Sequence, residues 1–176
     1  MIRWCDSNKE IPEGELDPFV VAYQINIDDD DPCNYPATLE STPNPLASVR
    51  FFVSSKFLLK LASDYCKLLQ ADATYKLNWH GYPVLMIGVS DDANVFHPFG
   101  IAMTIEEKSN DFSFIFRSLQ IGIDICGYPR IVHCDLLADA ADAITNGFEK
   151  AFRLDKSEYK RGKKRNQPIK IINTHK

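Results

Sequence analysis

The sequence lacks a long apolar run, a cysteine motif and a secretory leader. No stretch approaches the length of about 18 apolar residues that a membrane-spanning helix requires, so we expect no membrane partner. The cysteines number five, and no two of them lie two to four residues apart, which argues against a zinc knuckle or a disulfide framework. The first residues lack the basic and then apolar regions of a signal peptide, so we expect reduced thiols inside the cell.

What is present is the composition of an ordinary folded domain. The chain has 176 residues, of which 45% are hydrophobic and 25% are charged. This length suits a single domain that can bury a core without disulfides. The apolar content excludes a chain that is disordered throughout.

Charge is unevenly distributed along the chain, although the net charge is only −4. Residues 1–50 carry 10 acidic and 3 basic side chains, whereas residues 149–176 carry 3 acidic and 10 basic ones. Six of the ten prolines fall within residues 1–47, where only residues 18–27 are strand-like. The sequence therefore predicts an acidic, proline-rich irregular arm over residues 1–48, a globular domain over 49–153 and a basic tail over 154–176.

The central segment predicts a mixed α/β fold. Strand candidates are residues 66–75, 84–89, 99–105 and 130–137. Short connections between the first three favour antiparallel hairpins. An amphipathic helix from Ser109 or Asn110, ended by Gly127, separates the third strand from the fourth. Such a crossover predicts a sheet of three antiparallel strands plus a parallel fourth, followed by another helix.

Two aspartates are the candidate catalytic and metal-binding residues. Asp72 lies in the first core strand and Asp139 at the end of the fourth. If the crossover places these strands side by side, the two carboxylates face each other and repel unless a cation lies between them, which implies Mg²⁺ or Mn²⁺. Position alone, however, favours the plainer interpretation that an aspartate at a strand end caps a helix or forms a turn.

Residues 50–152 resemble the catalytic-domain core of Mutator-like element (MULE) transposases. The segments that carry the resemblance are 72–79 (DATYKLNW, an Asp-x-Thr-Tyr-Lys block), 81–85, 88–91, 96–98, 112–119 and 137–144 (LADAADAI). The resemblance implies a ribonuclease-H-like fold and descent from a DDE-type DNA strand-transfer enzyme. It also implies that Asp72 and Asp139 are the first two metal-binding carboxylates, that Mg²⁺ or Mn²⁺ is the cofactor, that DNA is the partner and that the protein is nuclear.

The sequence departs from the family after the second aspartate. A Cys-x-x-His-type segment, a helical insertion and a third acidic residue follow it in the family, and none of these follows Phe152 here. Glu149 and Glu158 lie too early to match the third acid. We therefore expect a fold that is incomplete at the C-terminus, weak metal binding, little catalytic activity and an unpaired edge at the fourth strand.

A basic cluster in the tail is the candidate nucleic-acid-binding segment. Its members are Lys160, Arg161, Lys163, Lys164 and Arg165. Such a cluster contacts phosphates or an import receptor, or is simply a solvated chain end. It keeps open a second hypothesis, a non-catalytic nucleic-acid- or protein-binding module, in the nucleus or otherwise in the cytoplasm. A third hypothesis is that the chain is a fragment of a longer product.

The remaining polar residues favour structural interpretations. Asp91 is predicted to form a turn, and His97 fits no zinc motif. Cys66 and Cys134 fall in apolar runs and are interpreted as separate core residues. Residues 169–172 are predicted to pair as an edge strand.

Overall fold

Seven strands and four helices are found in the part of the chain that the computed structural model describes, residues 1–26, 48–74, 82–91, 93, 95–132, 134–139, 142–153 and 171–174. The strands are β1 (Pro18–Asn26), β2 (Ser48–Ser55), β3 (Leu68–Thr74), β4 (Val84–Ser90), β5 (Phe96–Thr104), β6 (Asp135–Asp139) and β7 (Ile171–Thr174). The helices are α1 (Ile2–Ser7), α2 (Lys56–Tyr65), α3 (Ser109–Ile125) and α4 (Asp142–Arg153).

All seven strands belong to one mixed sheet, in the order β1-β2-β5-β4-β3-β6-β7. Strands β3, β4 and β5 pair antiparallel, and β6 pairs parallel to β3 after the crossover through α3. The predicted α/β class, with three antiparallel strands plus a parallel fourth, is therefore confirmed. Strands β2 and β1 extend the sheet beyond β5, and β7 pairs parallel to β6 on the other side.

One face of the sheet and the inner faces of the helices form the hydrophobic core. The predicted apolar stripe of α3 is buried, and its members are Phe112, Ile115, Phe116, Leu119 and Ile123. This stripe shares a core with alternate strand residues such as Leu69, Leu85 and Leu136, all of which are almost fully buried. The crossover helix therefore covers the sheet face that the leucines line.

Helices α3 and α4 approach each other closely at a glycine. A Cβ atom on Gly147 would lie 2.5 Å from the Cβ of Phe112 and 2.9 Å from the carbonyl oxygen of Ser109. The rings of Phe116 and Phe148 meet edge to face beside this contact, with centroids 5.4 Å apart. The small residue lets α4, which follows β6, pack directly on the crossover helix.

The predicted irregular arm is wrong for residues 1–26, which join the fold. The predicted strand at 18–27 forms as β1, and α1 precedes it with Cys5 fully buried. The Tyr23 hydroxyl donates to Asp6 at 2.7 Å, and the Trp4 ring meets Phe51 on β2 edge to face. A helix of six residues has too little periodicity to be recognised, and its position comes from these contacts with the sheet.

The predicted open edge at the fourth strand is also wrong. The backbone of β7 pairs with β6 from Leu136↔Ile171 to Asp139↔Thr174. The apolar run that suggested an edge strand at 169–172 thus lies in the sheet, two residues further along than predicted. A partner strand supplies the backbone hydrogen bonds that β6 would otherwise leave open.

A buried ion pair joins the start of the crossover helix to the sheet. The Nε atom of Arg50 on β2 donates to Oδ1 of Asp111 at 2.5 Å, and the Asp111 side chain is only 3% exposed. Oδ2 of the same carboxylate accepts from the backbone N–H of Lys108 at 2.8 Å, which caps the helix. Asp111 therefore fixes where α3 begins as well as where it sits on the sheet.

Replacing Arg50 should destabilise the fold strongly. Arg50→Ala leaves the Asp111 carboxylate buried without its cation, which costs about 3–5 kcal/mol of unfolding free energy. Lys60→Ala is the matched control, because its ion pair with Asp64 is 3.9 Å long and exposed, and it should change stability by less than about 1 kcal/mol. Urea unfolding of both variants measures the difference, and equal losses would contradict the role given to Arg50.

Candidate acidic site

The two predicted aspartates lie on neighbouring parallel strands. Strand β3 pairs with β6 in the register Leu68↔Asp135, Leu69↔Leu136 and Gln70↔Leu137. The paired residues end at Gln70 and Leu137, and the same register continued for two further residues along each strand would bring the backbone of Asp72 level with that of Asp139. The predicted pairing of the first and fourth core strands is confirmed, whereas the catalytic and metal-binding roles of the two residues stay predictions.

Strand alternation places the Asp72 side chain on the open face of the sheet. Leu69 and Ala71 on β3 are buried, and Asp72 is exposed. Its Oδ1 accepts a hydrogen bond from the backbone N–H of Ala73 at 2.9 Å, which leaves most of the carboxylate to water. The side chain of Asp139 lies outside what the structure describes, and only its backbone position is known.

The neighbours of Asp72 on the antiparallel side carry no charge. Met86 on β4 is paired with Asp72, and Ile101 on β5 is paired with Met86. Gln70, two residues earlier on β3, accepts a hydrogen bond from the Ser90 hydroxyl at 3.1 Å. Among the described residues no lysine or arginine forms an ion pair with Asp72.

Carboxylate oxygens are the ligands that Mg²⁺ and Mn²⁺ prefer, so this pair of positions suits a hard divalent cation. A complete site needs more ligands than two. Within the described ranges, no three His, Cys, Asp or Glu side chains form a group that could hold a metal ion. If a cation binds here, these two positions can supply two carboxylates, and water has to supply the remaining ligands.

Several predicted positions cannot be placed relative to this site. Lys160, Arg161, Lys163, Lys164 and Arg165 lie outside the described residues. They belong to the segment that connects α4 to β7, so the sequence places them between two elements of the sheet domain rather than after its last strand. Their predicted contact with DNA or an import receptor stays a prediction.

A second pair of side chains at these strands was missed by the sequence. The sulfur atoms of Cys66 and Cys134 lie 3.3 Å apart, just before β3 and β6 begin. The two cysteines are separated by 68 residues, and only the pairing of β3 with β6 brings them together. No local pattern signals such a pair.

Comparison with known proteins gives no relative from which a function can be transferred: no family model, no curated protein and no solved structure matches the chain. Every helix in the described ranges is too short or too polar to span a bilayer. The function therefore has to be argued from the strand pairing and from the sequence motifs.

Asp91 forms a turn, as predicted, between β4 and β5. Its Oδ1 accepts hydrogen bonds from the backbone N–H groups of Ala93 and Val95, each at 2.9 Å. Its Oδ2 lies 2.8 Å from Nε2 of His97. The hydrogen bond with His97, followed by the one from Val95, lowers the pKa of the Asp91 carboxyl below its ordinary value. This acid therefore belongs to the hairpin and is no part of the site at Asp72.

The stabilisation that Asp91 gives to its turn should be lost in acid, because the pKa of its carboxyl is lowered in the folded protein. An acid whose pKa is lower in the folded state stabilises the fold above its unfolded pKa of about 4, and this contribution is lost as the pH falls through the folded value. His97→Ala should raise the pKa of Asp91 toward the ordinary value, which an NMR titration of side-chain carboxyl carbons measures. Asp6 is the internal control. Hydrogen bonds from Tyr23 and Lys9 lower its pKa, and this pKa should be the same in His97→Ala as in the wild type. An unchanged titration of Asp91 would refute the assignment.

Proposed function

We propose that this chain is a partial or domesticated MULE transposase domain with a ribonuclease-H-like fold, descended from metal-dependent DNA strand-transfer enzymes and catalytically incomplete. The observation that supports the proposal is the parallel pairing of β3 with β6, the two adjacent strands that carry Asp72 and Asp139. These two residues lie in the sequence blocks that resemble the family's first two aspartate motifs.

The order of elements supports the proposed fold. The resemblance implies three antiparallel strands, a helix and a parallel fourth strand, and β3, β4, β5, α3 and β6 follow in that order. The exposed Asp72 is in the first of these strands, and Asp139 ends the last. Strands β1 and β2 and helix α1 are additions on the side of the sheet away from the aspartates.

In the proposed site, Asp72 and Asp139 hold a Mg²⁺ or Mn²⁺ ion. When bound, such an ion stabilises negative charge on the attacking and leaving oxygens of a phosphodiester. Asp72 is open to solvent, so a DNA backbone can approach it, and no protein nucleophile is needed. Two carboxylates without a third give a weak site, which is why we propose that catalysis is incomplete.

The proposal predicts weak Mn²⁺ binding that needs both aspartates. Asp72→Asn and Asp139→Asn should each lower Mn²⁺ affinity about tenfold or more, because each removes one of the two charges that hold the ion. Electron paramagnetic resonance of free Mn²⁺ measures the binding. Asp64→Asn, an exposed carboxylate on α2, is the matched control and should bind like the wild type.

The same three variants give a catalytic readout. Any Mn²⁺-dependent nicking of supercoiled plasmid by the wild type should be slow, and it should disappear in Asp72→Asn and persist in Asp64→Asn. Mn²⁺ binding that is equal in the wild type and in Asp72→Asn would eliminate the proposed site.

A second candidate is a non-catalytic module that binds nucleic acid through the basic cluster. The observation that favours it is the charge distribution, since 10 of the 20 basic residues fall within residues 149–176. Binding of this kind depends on counterion release from the phosphates and needs no metal site.

This candidate predicts DNA binding that falls steeply with salt. Replacing Lys163 and Lys164 together by glutamine should weaken binding to all DNA sequences alike and reduce the salt slope by about 0.9 for each phosphate that the variant no longer neutralises. Fluorescence anisotropy over a series of salt concentrations measures the slope. Lys60→Gln on α2 is the control for an exposed lysine elsewhere, and an equal slope in all three proteins would exclude the basic cluster.

A further inference from the structure

Two buried thiols meet at the end of the β3–β6 pair that is remote from Asp72. Cys66 ends α2, where its backbone N–H donates to the Ala62 carbonyl at 3.1 Å, and its residue surface is 6% exposed. Cys134 directly precedes β6 and is 8% exposed. Their Sγ atoms are 3.3 Å apart, and the Cys134 sulfur also lies 3.2 Å from the Asp135 carbonyl oxygen.

The positions of the two thiols are fixed by the strands that follow them. The backbone N–H of Asp135 donates to the Lys67 carbonyl at 2.9 Å, so the parallel pairing begins directly beside both cysteines. The first inward-pointing residues of the two strands, Leu69 and Leu136, are paired and have no exposed surface. The paired, buried strands thus fix the two sulfurs next to each other, and no flexible loop separates them. Each thiol therefore has a high effective concentration near the other.

We propose that Cys66 and Cys134 are a redox site that forms a disulfide between the starts of β3 and β6. The S–S bond of a disulfide is about 2.05 Å long. The two sulfurs, now 3.3 Å apart, therefore have to approach each other by about 1.2 Å. The bond would enclose β3, β4, β5 and α3 in one covalent loop, since the cysteines are 68 residues apart. This site does not depend on the proposed function.

Hydrogen peroxide is the oxidant for which the step is written. One cysteine sulfur, as the thiolate, attacks a peroxide oxygen, the O–O bond breaks, and a sulfenic acid and one water form. The second sulfur then attacks the sulfenic sulfur, the S–O bond breaks, and the hydroxide that leaves takes the remaining thiol proton as a second water. Two thiols lose two electrons in total, and one peroxide is reduced to two waters.

The surroundings of the pair make the oxidation slow and the product durable. The hydrogen bond with Cys134, followed by burial, raises the pKa of the Cys66 thiol, and the protonated thiol is a poor nucleophile. Oxidation therefore proceeds through brief opening of the chain around these strand starts. Once formed, the bond is buried and shielded from reducing thiols in the same way.

The experiment oxidises the full chain slowly and then identifies the bond. Wild-type protein is equilibrated for days with dilute hydrogen peroxide in a low concentration of urea that permits local opening, alkylated, digested without reduction and analysed by mass spectrometry. We expect a linked peptide that contains Cys66 and Cys134 and has lost two hydrogens. Thermal unfolding of the oxidised chain should occur about 10 °C higher than that of the reduced chain, because the bond closes a loop of this length in the unfolded state.

Three variants separate this pair from the other thiols. Cys66→Ala should abolish both the linked peptide and the rise in melting temperature. Cys126→Ala removes a half-buried thiol at the C-terminal end of α3 and should leave both unchanged. Cys33→Ser removes a thiol that lies outside the described residues and should also change neither.

Two results would overturn the proposal. The first is that Cys66 and Cys134 are both recovered alkylated after unfolding of the peroxide-treated wild type. The second is that either cysteine is linked mainly to Cys5, Cys33 or Cys126. Both results are measured in the digest of the wild-type protein, so they test the proposal even if Cys66→Ala fails to fold.

Discussion

The parallel pairing of β3 with β6 is the constraint on which the rest of the structure depends. Parallel neighbours cannot be joined by a hairpin, so the chain has to cross the sheet through α3 before β6 can form. The pairing of Leu69 with Leu136, both without exposed surface, fixes the register. A slip of β6 by one residue against β3 would turn Leu136 to the open face, at a cost of about 1.5–3 kcal/mol. Burial of apolar side chains therefore sets the positions of the polar ones.

The two ends of this strand pair differ in chemistry because they differ in access to water. At the start, Cys66 and Cys134 are buried, and the hydrogen bond with Cys134, followed by burial, raises the pKa of the Cys66 thiol. At the other end, Asp72 is exposed, so its charge is solvated and costs little. One strand pairing thus produces a buried pair of thiols and a hydrated acidic position within the seven residues from Cys66 to Asp72.

The sequence predicts what depends on local pattern and misses what depends on distant contacts. The core strands, the amphipathic α3 and the strand positions of Asp72 and Asp139 follow from periodicity, turns and motifs, although β6 begins at Asp135, five residues later than the predicted fourth strand. Helix α1 and the Cys66–Cys134 contact were missed, since six residues carry no period and a contact across 68 residues leaves no local trace. The Arg50–Asp111 pair was missed for the same reason, since its two residues are 61 positions apart.

The exposure of Asp72 bears directly on how much chemistry the acidic site can perform. A hydrated carboxylate attracts a divalent ion only weakly, because the ion keeps most of its water and the intervening solvent screens the charge. Tight binding and phosphoryl transfer need further ligands that displace this water. No group of three such ligands exists among the described residues, and the side chain of Asp139 is not one of them. The incomplete catalysis that we propose for the domain rests on this weak attraction at Asp72 and on the absence of the third acidic motif from the sequence blocks that resemble the family.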